Sequence, residues 1–266
     1  MEASRLTAIG GVLLAAAVAL SDVRLEDSWA RGVHLAVVGI GFLIVYVLGL
    51  TRPLREDGRP SAEQSALLAA SLVLLVFADV RLGDVVVGGG SEHSGTITWM
   101  ALLYAALAAY PAITRRSAVC TLAAAAGLGL AIGEFVSWVS PGDVQVNGAR
   151  WILFGLIGLY ALGAFFLRAA RPRHGAQLVN AAMLAVIGIV GTVAVNLVFV
   201  EGTDVPHLST WWELVAFAVS MAGIAFAVQS RERGPGWTAG VALVFAIITI
   251  GSPLARRRRS WDGRWC

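Results

Sequence analysis

SDVRLED, residues 21–27, and ADVRLGD, residues 78–84, share the core Asp-Val-Arg-Leu, and each closes an apolar run. The spacing between the two copies is that of one helical hairpin. A chain that returns to the same charged tetrapeptide each time a hydrophobic segment ends reads as a series of membrane crossings, with the tetrapeptides marking one face of the bilayer. The rest of the composition agrees. Hydrophobic residues make up 58% of the 266 and charged residues 14%, and mean hydropathy is +0.76, whereas a soluble domain carries roughly a quarter charged residues.

Apolar runs lie at residues 6–20, 33–50, 64–78, 97–113, 118–139, 151–167, 178–200, 214–228 and 237–254. In hydrocarbon every backbone N–H and C=O must be satisfied within the protein, and the runs lack the alternation of barrel strands, so they are expected to be helices. A bilayer core of about 30 Å needs about 20 residues at 1.5 Å each, so the short first and third runs must continue past Asp22 and Asp79 toward Leu25 and Leu82. The fold class expected is an all-α, polytopic transmembrane helical bundle of eight or nine spans.

All twenty basic residues are Arg, and they fill every second loop: Arg52, Arg55 and Arg59; Arg115 and Arg116; Arg168, Arg171 and Arg173; Arg231 and Arg233. The positive-inside rule puts these loops and the N-terminus in the cytoplasm of a cell-membrane protein. Trp29, Trp99, Trp138, Trp151, Trp211 and Trp212 crowd the opposite loops, where amphipathic rings suit the headgroup layer. Cutting at the Arg loops gives four tandem hairpins, at about 1–61, 62–117, 118–176 and 177–235, then a hydrophobic segment at 236–254 and a basic, Trp-containing tail at 255–266. Together, residues 1–254 are expected to form a single integral membrane domain. A ninth crossing would export the arginines of the tail, against the charge rule, yet 237–254 is long enough and uncharged. No cleavable signal peptide is expected, since the first run has no small-residue cleavage site after it.

Ionisable groups inside spans are costly, so those at the span boundaries are the candidate pathway residues. Asp22, Arg24, Asp79 and Arg81 belong to the repeated tetrapeptide. Residues two apart do not face each other on a helix, so Asp22 is poorly placed to neutralise Arg24. Reciprocal pairs, Asp22 with Arg81 and Asp79 with Arg24, would explain the repetition. Glu134, in GLAIGEFVSW, has the most apolar sequence setting of the carboxylates, and is expected to serve a proton or cation pathway. Asn196, Glu213 and His34 complete the set, Asn196 occupying in its hairpin a place comparable to that of Glu134.

Several classes are excluded. Without Lys there is no retinal Schiff base. His34 alone of the four histidines falls in or near a span, which disfavours a bis-histidine haem. His34, His93 and His207 lack metal-ligand spacing with Glu92, Asp204 or Glu213, so no metal site is expected. GGGSEHSG, residues 88–95, has no nucleophile-elbow context, and no nucleotide signature or catalytic set appears, so neither an enzyme nor a cofactor is expected. Two cysteines give no disulfide framework. Boundary carboxylates on repeated hairpins follow the general plan of secondary transporters, so a small solute or an ion, coupled to protons, is the expected substrate. A non-enzymatic sensor or assembly subunit acting through a partner protein or a second copy is the other reading. Membrane lipids are the expected surroundings, and nucleic acid is not a partner.

Overall fold

In a computed structural model the described residues are 2–25, 28–55, 58–88, 93–140, 146–199 and 208–251. They are helical nearly throughout, with no strand among them: α1 (Glu2–Arg24), α2 (Arg31–Thr51), α3 (Ala62–Val87), α4 (Ser94–Thr114), α5 (Ala118–Val139), α6 (Val146–Ala170), α7 (Pro172–Phe199), α8 (Thr210–Ser230) and α9 (Arg233–Gly251). Eight of these, α1 to α8, are long and apolar enough to cross a membrane. The chain is a multi-pass helical membrane protein. The short first and third runs do lengthen: α1 continues to Arg24 and α3 to Val87.

The chain divides into two compact units, Met1–Pro141 and Gly142–Cys266. In the first, α3 is the central helix, in contact with α1, α2, α4 and α5. It is apolar around its circumference, and half of its hydrophobic window is buried, against 22% for α1. Leu67, Leu68, Leu72, Leu74 and Leu75 of α3 pack with Phe42, Val45 and Tyr46 of α2, Ala108 and Ala112 of α4 and Cys120 of α5. The small residues act where helices approach. A Cβ on Gly49 would come within 2.9 Å of Leu68 Cδ2, so the bare backbone is what allows α2 to lie so close to α3.

Helix ends are closed by side chains. Ser61 caps α3 by accepting a hydrogen bond from the Gln64 backbone N–H at 3.0 Å. Gln64 is wholly buried and donates through Nε2 to the Gly49 carbonyl at 2.9 Å, satisfying one of the free carbonyls at the end of α2. Tyr46 donates to the Leu107 carbonyl at 2.8 Å, which ties α2 to α4. At its other end α3 stops at Gly88, whose φ of 69° is left-handed, a conformation that costs glycine little.

In the second unit α7 contacts α6, α8 and α9. Ala181, Ala182, Met183, Val186 and Ile189 form its buried face. In both units the most extensive contacts are between helices that flank an Arg turn, α2 with α3, α4 with α5, α6 with α7 and α8 with α9. Within each unit, helices joined on the Trp-bearing side, α1 with α2, α3 with α4 and α7 with α8, pack less closely.

Candidate functional site at the ends of α1, α2 and α3

Asp22 sits in the last turn of α1, where the helix dipole is negative and a carboxylate is disfavoured. It is also 1% exposed. A buried charge so placed must find opposite charge and hydrogen-bond donors, and it finds both. Arg81 of α3 donates through Nε to Asp22 Oδ1 at 3.2 Å and Oδ2 at 3.1 Å, and its Nη2 lies 3.0 Å from Oδ2. His34, in the first turns of α2, places Nδ1 2.7 Å from Asp22 Oδ1. Arg81 also lies 3.8 Å from Asp84, one turn on along α3.

His34 is 2% exposed, and its ring meets that of Trp29 at 5.4 Å between centroids with a 54° tilt. With Nδ1 donating to the carboxylate, the outer nitrogen Nε2 is buried and has no hydrogen-bond partner. Histidine is, as a residue type, the side chain whose charge changes nearest to neutral pH. Among the described residues no cluster of three or more His, Cys, Asp or Glu has metal-binding geometry.

The other candidate residues take different places. Of the two reciprocal pairs, Asp22 with Arg81 forms and Asp79 with Arg24 does not. Arg24 is exposed at the end of α1, and Asp79, 6% exposed, has no hydrogen bond or ion pair among the described residues. The cause is helix length. α1 ends at Arg24, so its guanidinium projects beyond the packed region, whereas α3 runs six residues beyond Arg81 and holds that side chain against α1 and α2. Glu134 is half-buried near the end of α5 and makes no hydrogen bond or ion pair with the Asp22 group. Glu213 is buried in the first turn of α8, at the positive end of that helix dipole. Asn196 falls on α7, with its side chain outside the described residues, as is all of His207.

Two further buried residues stand out. Arg150 in α6 is 2% exposed, donates to Thr192 Oγ1 at 3.0 Å and Asn147 Oδ1 at 3.2 Å, and leaves Nη2 unsatisfied. Trp212 is buried, with Trp151 and Phe154 meeting it edge-on at 5.1 and 6.1 Å. The link between His34 and Asp22 was within reach of sequence reasoning. They are 12 residues apart across one short loop, at the end of one span and the start of the next. No protein-family model, curated protein or solved structure matches the chain.

Proposed function

We propose that this multi-pass membrane protein carries a small solute or an ion, and that Asp22, His34 and Arg81 couple its movement to protons. One observation supports the reading above the rest: a buried Asp22–His34 pair joined by the part-buried Arg81 near the ends of three apolar helices, with His34 Nε2 buried and unpaired. Intramembrane ionisable groups are expensive and tend to lie on substrate or proton paths. The Asp22 carboxylate is shared between the permanent cation of Arg81 and the imidazole of His34. The membrane is taken to be the cell membrane, with the Arg turns in the cytoplasm. Purified protein in proteoliposomes with an imposed pH gradient should take up counter-ion or solute, and His34→Gln should abolish the dependence on the gradient while the protein stays folded. Gradient-dependent flux unchanged in His34→Gln removes this group from the mechanism, and unchanged flux in Glu134→Ala removes Glu134.

A second reading, a non-enzymatic sensor or assembly subunit, draws on the near-complete confinement of the described residues to helices. Such a chain would need a partner to supply its output. Stoichiometric co-purification of another protein in mild detergent, with no flux in liposomes, would favour it.

A further inference from the structure

A cleft of about 580 Å³ lies between α3, α4 and α5 of the first unit, on the opposite side of the tetrapeptide from the Asp22 group. Ligand pockets usually hold roughly 300–1,000 Å³, so it is large enough for a small organic molecule. Its lining is apolar, with Val76, Val80, Ile97, Met100 and Leu130 among its walls, and two polar side chains break that surface, Asp79 and Tyr104. Val76, Val80 and Leu130 are themselves exposed, so the mouth is greasy. Asp79 lines this cleft, 6% exposed, and bonds to no group among the described residues. Arg81 is two positions along the same helix and therefore points elsewhere, toward Asp22.

A buried carboxylate with no donor is strongly disfavoured unless something supplies one. The residues lining the cleft include no cation. We propose that it is a binding site for an apolar amine, whose ammonium group pairs with Asp79 while its hydrocarbon body lies against Val76, Val80, Met100 and Leu130. Tyr104 lines the same cleft as Asp79, and an aromatic ring there suits a cationic ligand. The charge-assisted bond to Asp79 gives selectivity for amines over neutral molecules of the same shape. A greasy mouth admits the ligand from the hydrocarbon side. The site stands apart from the proton-coupling reading, and it holds whether or not the chain transports anything.

The test is saturation binding of radiolabelled N,N-dimethylnonylamine to the full chain in phosphatidylcholine nanodiscs, with empty nanodiscs subtracted and 1-nonanol as the neutral partner. The amine should bind saturably, with 1-nonanol at least tenfold weaker. Asp79→Asn keeps the size and removes the charge, and should weaken the amine tenfold or more without changing the alcohol. Ala126→Phe, at an exposed position in the cleft wall, should exclude both and serves if Asp79→Asn fails to fold. Equal affinity for amine and alcohol, amine binding unchanged in Asp79→Asn, or no binding above empty nanodiscs would each overturn the proposal.

Discussion

The two copies of Asp-Val-Arg-Leu begin alike and end differently. In the first, Asp22 is buried between Arg81 and His34, while Arg24 is exposed. In the second, Arg81 is part-buried against Asp22, and Asp79 is buried with no partner among the described residues. One acid from the first copy and one base from the second make the ion pair, and the complementary pair never forms. The length of helix beyond the tetrapeptide sets the difference. α1 stops at Arg24, whereas α3 continues to Val87, so the same four residues cap one helix and lie within another. A repeated motif therefore states where charge is placed along the chain, and the helix that carries it decides which charge is used.

The sharpest way to break this comparison is Arg81→Ala. It leaves Asp22 buried without its permanent counter-charge, and losing one partner of a buried pair costs about 3–5 kcal/mol. The expected outcome is a large drop in the folded fraction, read by denaturation in detergent micelles. Adding Asp22→Asn to Arg81→Ala should recover part of the loss, since the stranded charge is then gone. A coupling energy above about 1 kcal/mol is expected for residues in direct contact. Simple additivity would mean that the pair contributes nothing jointly.

His34→Ala comes next. The carboxylate keeps Arg81 but loses a hydrogen bond to a charged group, which is about 1.5–3 kcal/mol. His34→Gln retains a donor near Nδ1 and should recover much of that loss, which separates the hydrogen bond from the proton chemistry that only imidazole supplies. Equal destabilisation by both substitutions would assign the effect to packing against Trp29 instead.

Much of this arrangement was legible in the sequence, and for a physical reason. Lipid forces helices on any long apolar run, so the spans and the lengthening of the first and third came from backbone hydrogen bonding and bilayer thickness alone. The Asp22–Arg81 pair came from the helical period, which turns Arg24 away from Asp22. Partner choice in three dimensions was not legible. Nothing local in VHLAV says that His34 closes on Asp22, and nothing in NGARW says that Arg150 is buried on Thr192. Glu134 has apolar neighbours in sequence, and in the fold it is half-buried with no hydrogen bond or ion pair among the described residues. Neighbours along a helix are spread around its whole circumference, so they describe a side chain's surroundings poorly.

Asp79→Asn tests the unpaired side of the comparison. With no bonded partner to lose, the substitution removes an uncompensated buried charge, and the empty protein should be unchanged or more stable by about 1 kcal/mol. The contrast is with Asp22→Asn, which strips Arg81 and His34 of their shared acceptor and must destabilise. If the two substitutions cost the same, the two aspartates sit in equivalent surroundings and the asymmetry between the copies is lost.

The smallest effect is expected at Arg24, and its smallness is the point. Its guanidinium is exposed at the end of α1 and forms no ion pair with Asp79. A cation in a last turn gains slightly from the helix dipole, and exposure to solvent reduces even that. Arg24→Gln should therefore shift stability by less than about 0.5 kcal/mol, against several for Arg81→Ala. The two arginines occupy the same place in the same tetrapeptide, so composition and local sequence are matched and only the helix context differs. A loss at Arg24 as large as that at Arg81 would require Arg24 to reach a buried acid, Asp79 being the one within its motif. The reciprocal pairing would then be restored, and the cleft carboxylate would no longer be free to take a ligand.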